Sequence, residues 1–399
     1  MKYIVILGDG MSDYPDQDGQ TPLSLAHKPN IDRLASVSEV GLCQTIPSGM
    51  NPGSDTANLS VMGYDPKIYY TGRSPLEAIS MGIRLEEGDI TYRVNLVTLS
   101  DEKEYTQKTM LDYSAGEIKT ADSRKLIELL KPCVPKGFEL FAGVSYRHCL
   151  VQRKSAAHKT QDIAVIQKSF TPPHDITNKK ITDYLPKSAD FSAFTEFMEK
   201  SYAVLSRHPD NRTKANSAWI WGAGTKPALP DFKKEYGING AVISAVDLLK
   251  GIGLGSGLKS INVDGATGNL HTNFDGKAAA AIQELETCDF LYLHIEAPDE
   301  CGHQGDKTGK IRAIELIDQK IVGPVCLALK QKHDFKMLIM PDHATPLALK
   351  THTSDPVPYV LYDSKNEVKS SASSYTEAIA KTTGIFVDAG CKMIKKLLS

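Results

Sequence analysis

Three features are scarce or missing in this chain of 399 residues, and each absence excludes a class of protein. No apolar run approaches the roughly 20 residues of a membrane span, so we expect no transmembrane helix. The 46 basic residues nearly match the 48 acidic ones, so no excess of charge favours nucleic acid or an anionic membrane. The seven cysteines are scattered without a C-x-x-C pair, which indicates reduced thiols.

The chain also begins with little that suggests export. Its first apolar run, residues 3–7, is shorter than a signal peptide requires, and Asp9 follows it closely. We therefore predict a cytoplasmic protein with neither a nucleic acid nor a membrane as partner. The sequence leaves the oligomeric state open.

Short apolar runs that end at glycine or acidic residues predict buried parallel strands at 3–7, 219–221, 289–295 and 336–340. Amphipathic spacing predicts helices at 241–249, 276–285 and 311–329. Because strands and helices alternate, we expect an α/β fold with a large parallel sheet flanked by helices.

The middle of the chain has a different pattern. Residues 86–207 are polar and rich in lysine, and residues 91–98 alternate apolar and polar side chains. Alternation predicts strands with one solvent-facing side, as in antiparallel sheets. We therefore expect a smaller inserted α+β domain at 86–207, within a core domain formed by residues 1–85 and 208–399.

Aspartate and histidine, ligands that suit borderline divalent ions such as Mn²⁺ or Zn²⁺, occur in three patches. The patches are Asp9, the pair Asp299 and His303, and the group Asp342, His343 and His352. Asp299 and His303 are four residues apart, so one helical turn aims both at the same point. Asp9 and Asp342 follow predicted strands, and ligand sites of open parallel sheets lie beyond the carboxyl ends of the strands.

Ser54 is the candidate nucleophile. It follows the turn Pro52-Gly53, and we expect it to open a short helix that stops near Gly63. A helix N-terminus offers unpaired N–H groups and a positive dipole end to a phosphate. A serine hydroxyl becomes an effective nucleophile when a metal ion favours the alkoxide. A simple helix cap is the alternative for Ser54.

Several motifs together resemble a known family. They are GDG at 8–10, PGSDTA at 52–57, YDP at 64–66, YTGR at 70–73, APDECGH at 297–303, and PDH at 341–343 followed by His352. This pattern resembles the cofactor-independent phosphoglycerate mutases of the alkaline phosphatase superfamily, and most closely their archaeal-type branch. The resemblance spans nearly the whole chain and implies an alkaline-phosphatase-like α/β domain with a smaller inserted domain.

The resemblance also implies a chemistry. Asp9, Ser54, Asp342 and His343 would hold one divalent ion, whereas Asp299, His303 and His352 would hold a second. The ions would be Mn²⁺ or Zn²⁺, with Mg²⁺ and Co²⁺ as alternatives. The reaction would be the glycolytic interconversion of 3- and 2-phosphoglycerate, a small phosphorylated metabolite, through phosphorylated Ser54 and without 2,3-bisphosphoglycerate.

Charge supports two ions independently of the resemblance. Asp9, Asp299, Asp342 and a Ser54 alkoxide carry four negative charges, and a phosphorylated carboxylic acid adds about three more near neutral pH. Two divalent cations make such a site tolerable.

Candidate substrate-binding residues are Arg73, Arg93, Arg147, His174 and Asp175. Arginine binds carboxylate or phosphate through two parallel hydrogen bonds, although each of these residues can instead form a structural ion pair. His148 is a candidate to move a proton on or off a substrate hydroxyl.

Three positions depart from the family pattern, which has histidine where Asn58 stands, arginine near Trp221, and paired arginines within 107–114. These departures bear on the substrate more than on phosphoryl transfer. A small-molecule kinase similar to homoserine kinase therefore stays open as an alternative. A metal-dependent phosphomonoesterase and a non-catalytic binding protein are further alternatives.

Overall fold

The computed structural model describes residues 1–154 and 162–399, which form two compact units. Unit 1 comprises Met1–Tyr70 and Ala228–Ser399, and unit 2 comprises Thr71–Pro227. Unit 2 therefore extends about 15 to 20 residues beyond the predicted insert on each side. The reason is that flanking segments on both sides pair or pack with strands of the insert, as described below.

In chain order the strands of the described residues are β1 (Lys2–Gly8), β2 (Glu39–Cys43), β3 (Ile90–Leu99), β4 (Met110–Asp112), β5 (Phe138–Val144), β6 (Arg147–Gln152), β7 (Ser217–Thr225), β8 (Gly240–Ile243), β9 (Lys259–Ile261), β10 (Phe290–Ile295), β11 (Phe335–Met340), β12 (Val357–Asp363) and β13 (Phe386–Val387).

The α-helices are α1 (Pro22–Leu25), α2 (Pro29–Ala35), α3 (Ser54–Val61), α4 (Pro66–Tyr69), α5 (Ser74–Ser80), α6 (Thr120–Leu130), α7 (Ile163–Ser169), α8 (Ser192–Leu205), α9 (Phe232–Tyr236), α10 (Asp247–Gly255), α11 (Phe274–Glu284), α12 (Ala297–Gln304), α13 (Lys307–Leu316), α14 (Gly323–Lys332), α15 (Glu377–Thr382) and α16 (Met393–Leu398). Short 3₁₀ turns lie at Tyr105–Gln107, Lys131–Cys133, Pro173–Ile176, Ile181–Tyr184, Ala189–Phe191 and Gly390–Lys392, and a π-helical segment at Ile317–Val322.

Unit 1 is built on an eight-stranded sheet in the order β13-β2-β12-β11-β1-β10-β8-β9. The strands from β11 to β9 are parallel, whereas β12 runs antiparallel to both of its neighbours. In β1, Ile4 to Leu7 have no exposed surface, as expected for a strand covered on both faces. Helices cover the sheet: Ile4, Leu293 and Ile314 of α13 share one hydrophobic core. The predicted α/β fold is confirmed, with β12 as an unpredicted antiparallel member.

Adjacent strands of this sheet carry the predicted metal ligands to one edge. β1 lies between β10 and β11 and is parallel to both. Asp9 directly follows β1, α12 with Asp299 follows β10, and Asp342 follows β11. The ligands therefore lie at one edge of the sheet, although they are far apart in the sequence. Asp9 and Asp342 are 333 positions apart.

Unit 2 contains a five-stranded sheet in the order β4-β3-β6-β5, with β7 also paired to β3. Its pairings are antiparallel, as predicted. The solvent-facing side that the alternation at 91–98 predicts is wrong for β3, because residues 91–97 are all buried. Residues 219–221, expected in the core sheet, lie in β7 instead. On the other side of the insert, the Ser74 hydroxyl of α5 donates to the Thr91 carbonyl of β3, 3.0 Å away. Both flanking segments thus belong to unit 2.

The helix predicted at 241–249 is a second difference. Ala241, Val242 and Ile243 pair with β10 as strand β8, and the helix α10 begins only at Asp247. A short apolar run fits a buried strand and a helix equally well, so pairing with a neighbour decided the outcome. The helices predicted at 276–285 and 311–329 are confirmed as α11 and as α13 with α14.

None of the helices in the described residues has the length and apolarity needed to cross a lipid bilayer.

Candidate active site

Ser54 is the first residue of α3, as predicted, with Gly53 as the N-cap and the helix ending at Val61. Its side chain is partly exposed, and its Oγ lies 3.1 Å from His343 Nε2. The nucleophile candidate is therefore in direct contact with one predicted metal ligand.

Asp9, Asp342 and His343 form the first group of ligand atoms, all of which lie within 4.8 Å of one another. His343 Nε2 lies 3.5 Å from Asp9 Oδ1 and 3.2 Å from Asp342 Oδ2. The three side chains are 2% exposed or less. Together with Ser54 they match the composition of the first predicted ligand set.

Asp299, His343 and His352 form the second group within 4.8 Å. His303, which follows Asp299 by one turn of α12, adds its Nε2 at 3.2 Å from Asp299 Oδ2. The Nε2 atoms of His303 and His352 are 2.9 Å apart. His343 thus belongs to both groups, whereas the sequence assigned it to one.

The charges in this cluster fit divalent cations. Burial, together with the neighbouring carboxylates of Asp342, Asp299 and Glu296, raises the pKa of Asp9 well above its ordinary value. Asp9 Oδ1 is buried without a hydrogen-bond partner in the described part of the chain. A buried, unpaired carboxylate oxygen beside other carboxylates is costly unless a cation neutralises it. The donor set of carboxylate and imidazole groups suits Mn²⁺ or Zn²⁺.

The pKa values of His303 and His343 shift in opposite directions. Hydrogen bonding to Asp299 raises the pKa of His303 to about 9 despite its partial burial. Burial lowers the pKa of His343, which favours the neutral imidazole that coordinates metal ions.

Two of the predicted substrate-binding arginines meet in unit 2 at a residue that the sequence analysis overlooked. Glu77 accepts Arg73 Nε on one oxygen at 2.9 Å and lies 2.9 Å from Arg93 Nε on the other. The guanidinium of Arg93 lies 4.0 Å above the Trp221 ring, and the His174 ring contacts the same indole edge-on at 5.3 Å. Although burial raises the pKa of Glu77, the charges of Arg93 and Arg73 hold it below its ordinary value.

The remaining substrate-binding candidates have diverse surroundings. Arg147 is exposed, with its guanidinium 4.9 Å from the Tyr146 ring. Asp175 is exposed and lies 3.6 Å from His174 Nε2. His148 is 3% exposed, and its Nδ1 accepts the Gly143 N–H at 3.1 Å. Burial lowers the pKa of His148 to about 3, which favours a neutral side chain in a structural hydrogen bond.

The geometry above can be compared with known proteins. The profile of 2,3-bisphosphoglycerate-independent phosphoglycerate mutase matches residues 35–211. The chain is 44% identical to a probable enzyme of this name from Geobacter sulfurreducens, over 100% of both chains. It is also 44% identical to the one from Methanothrix thermoacetophila, again over 100% of both. The chain belongs to the 2,3-bisphosphoglycerate-independent phosphoglycerate mutase family.

Solved structures share the fold of this chain. A protein from Pyrococcus horikoshii superimposes with a TM-score of 0.81 at 26% identity, over 100% of this chain and 96% of the other. The cofactor-independent phosphoglycerate mutase from Thermoplasma acidophilum gives a TM-score of 0.64 at 24% identity, over 100% and 99%. The latter likeness concerns the fold alone. The 44% identical relatives are named phosphoglycerate mutases, so the protein is a member of an isomerase family.

Asn58, where the family pattern has histidine, is fully buried in the helix that begins at Ser54. Its Nδ2 donates to the Ser54 carbonyl at 2.9 Å and to Asp342 Oδ2 at 2.7 Å. Its Oδ1 accepts from the Tyr292 hydroxyl at 2.7 Å. The amide therefore connects the helix of the nucleophile with a carboxylate of the first ligand group.

His294 is a further residue of this mutase site that the sequence analysis overlooked. Its Nε2 lies 2.8 Å from Asp9 Oδ2, and its Nδ1 lies 3.1 Å from the Ser244 hydroxyl. A signal was present, because Tyr292 and His294 are polar residues two positions apart in an otherwise apolar strand. Residues with that spacing share one face of a strand.

Proposed function

We propose that this protein interconverts 3- and 2-phosphoglycerate through a phosphoserine on Ser54 and without 2,3-bisphosphoglycerate. The observation that carries the proposal is the contact of Ser54 Oγ with His343 Nε2 at 3.1 Å, at the point where the two ligand groups share His343. A helix N-terminus beside two groups of metal ligands suits a phosphoryl group.

The proposal assigns a ligand role to each predicted residue. Asp9, Ser54, Asp342 and His343 hold one divalent cation, and Asp299, His303 and His352 hold the other. Mn²⁺ or Zn²⁺ suits these donors, with Mg²⁺ and Co²⁺ as alternatives. When bound, the cations supply the positive charge that favours the serine alkoxide and neutralises the transferred phosphoryl group.

Ser54 performs the two transfers in turn. Its Oγ attacks the phosphorus of 3-phosphoglycerate, the bond from phosphorus to O3 breaks, and O3 takes a proton as Ser54 becomes phosphoserine. The O2 hydroxyl of the same glycerate then attacks that phosphorus and loses its proton, and Ser54 Oγ leaves. Protons balance over the cycle, and the only group transferred is the substrate's own phosphoryl group.

The inserted unit has the substrate-binding role in this proposal. Arg73 and Arg93 both contact the Glu77 carboxylate, and their guanidinium groups are the proposed ligands of the substrate's carboxylate or phosphate. Arg147, His174 and Asp175 remain predicted substrate-binding residues, and His148 a predicted proton carrier, although its burial favours a structural role. The cytoplasm is the proposed location, since the seven cysteines are all free.

The experiment is an enolase-coupled assay with 3-phosphoglycerate and Mn²⁺. We expect Ser54→Ala to lower kcat by at least about 10³-fold, as removal of a nucleophile does. Ser48→Ala, an exposed serine in the preceding loop, is the matched control and should keep full activity. Rapid quenching of the wild type should yield a phosphorylated peptide that contains Ser54.

Other results would identify the alternatives. Full mutase activity in Ser54→Ala would remove the proposed nucleophile. Release of free phosphate without 2-phosphoglycerate would indicate a phosphomonoesterase. Formation of homoserine phosphate from ATP and homoserine would indicate a small-molecule kinase.

A further inference from the structure

Thr345 contacts two predicted metal ligands at once. Its hydroxyl donates a hydrogen bond to Asp299 Oδ1, and the same oxygen lies 3.2 Å from His343 Nδ1. The side chain is fully buried, so water does not compete for these contacts. Neither the motifs nor the ligand sets predicted from the sequence include this residue.

The single hydroxyl proton decides how His343 is protonated. A carboxylate oxygen without a proton only accepts, so the Thr345 proton must point at Asp299. The second contact of the hydroxyl is then as an acceptor, and His343 Nδ1 must carry the hydrogen. This conclusion holds for both the neutral and the protonated ring, because Nδ1 carries a hydrogen in each case.

A neutral His343 ring with its hydrogen on Nδ1 has a lone pair on Nε2. That nitrogen faces Ser54 Oγ at 3.1 Å, Asp342 Oδ2 at 3.2 Å and Asp9 Oδ1 at 3.5 Å. The other ring nitrogen of a metal-binding histidine typically donates to a neighbouring acceptor, which orients the ring and fixes its tautomer. Thr345 is in the position to do so for His343.

We propose that Thr345 is a positioning residue that holds His343 in the Nδ1–H tautomer and orients Asp299, and thereby couples the two groups of metal ligands. The inference rests on the proposed metal site. It does not depend on which substrate the enzyme isomerises.

The surroundings of Thr345 leave its hydroxyl little freedom. Its carbonyl accepts from buried Lys310 Nζ at 2.8 Å, and its N–H donates to the Ser12 carbonyl at 3.2 Å. Gly10, with φ +62°, approaches so closely that a Cβ there would lie 2.6 Å from Thr345 Oγ1 and 2.7 Å from Asp299 Oδ1. The predicted glycine motif at 8–10 thus makes room for this hydroxyl.

The first test measures Mn²⁺ binding by titration calorimetry without substrate. Thr345→Val replaces the hydroxyl with a methyl group of similar size, and we expect both sites to bind Mn²⁺ about 10- to 100-fold more weakly, the usual effect of losing such a partner. Thr345→Ser retains the hydroxyl and should restore the affinity to within about threefold. Wild-type affinity at both sites in Thr345→Val would overturn the proposal.

Thr45→Val is the matched control. Thr45 is 1% exposed, and its hydroxyl has no hydrogen-bond partner within residues 1–154 and 162–399. This variant should bind Mn²⁺ as the wild type does. An equal loss in Thr45→Val and Thr345→Val would show that removal of any buried hydroxyl suffices, and would also overturn the proposal.

The second test reads the tautomer in the metal-free protein. ¹⁵N NMR of labelled histidine, assigned with His343→Gln, should show the hydrogen of His343 on Nδ1 in the wild type. A neutral ring with its hydrogen on Nε2 would refute the inference even if the Thr345 variants could not be purified folded. Neither measurement uses mutase activity, so a failure of the proposed reaction at Ser54 would be distinguished from a failure here.

Discussion

The two units each bury a polar centre, and the two centres handle charge in opposite ways. In unit 1, Asp9, Asp299 and Asp342 converge, their ion-pair partners within the described residues are histidines, and one oxygen of Asp9 has no hydrogen-bond partner there. In unit 2, Glu77 lies between two guanidinium groups. The first centre suits cations from outside the chain, whereas the second contains the guanidinium groups that pair with its carboxylate.

The pKa directions express the same difference. Burial and neighbouring carboxylates raise the pKa of Asp9. For Glu77, burial also favours a higher pKa, but Arg93 and Arg73 outweigh it and the pKa falls. The carboxylate whose pKa is raised lies among other carboxylates, whereas the one whose pKa is lowered lies between two guanidinium groups. Three predictions test this contrast.

Metal removal should have the largest effect, and only in unit 1. A ligand that binds only the native state stabilises it by about 4 kcal/mol per site when the concentration of free ligand is 1,000 times Kd. Hydrogen exchange with EDTA and with Mn²⁺ should show this change in strands such as β1 and β11. Equal changes in β3 and β7 of unit 2 would contradict the comparison.

Glu77→Gln should have the second-largest effect, and this effect should be located in unit 2. Removing one partner of a buried ion pair leaves the other charge unpaired, so we expect the free energy of unfolding to fall by about 3 kcal/mol. Urea denaturation would measure it. Glu86→Gln is the control, because Glu86 pairs with Arg84 at the surface, where the two side chains are 60% and 87% exposed. Loss of this surface pair should not measurably change the free energy of unfolding. A similar decrease in both variants would contradict the stabilising role of the buried pair.

Asp9→Asn should give the smallest effect, with the opposite sign. In the metal-free protein it relieves carboxylate repulsion and retains an acceptor for His294 Nε2, so stability should rise by about 1 kcal/mol at pH 7. Because the pKa of Asp9 is raised by folding, its ionisation destabilises the fold as pH rises above about 4, where the unfolded carboxyl ionises. The gain should therefore vanish below that pH. Thermal unfolding of both metal-free proteins at pH 4 and 7 checks this, and a less stable variant at pH 7 would contradict it.

Much of unit 1 could be predicted from the sequence because its signals are local. An apolar run followed by aspartate identified β1 and β11, and the spacing of Asp299 and His303 identified the turn of α12. The parallel strands then bring their carboxyl ends together. These rules place ligands near a common edge without knowledge of strand order.

The remainder depends on contacts between distant segments. The antiparallel direction of β12, and the place of β7 beside β3, follow from which strand each one meets. Thr345, Asn58 and His294 make hydrogen bonds to Asp299, Asp342 and Asp9, which lie in distant segments of the chain. The sequence marks Asn58 as a departure from the family pattern and His294 as a polar residue in an apolar strand, but it does not identify the partners of these side chains.

The central position of β1 has a consequence for biosynthesis. This strand is synthesised before both of its sheet neighbours, β10 and β11, which lie more than 280 residues later in the chain. Domains generally fold as units during synthesis, and pairings of high sequence separation form slowly. The inserted unit is therefore translated completely while β1 still has unpaired edges. A nascent chain must keep this apolar strand from aggregating until β10 and β11 have emerged.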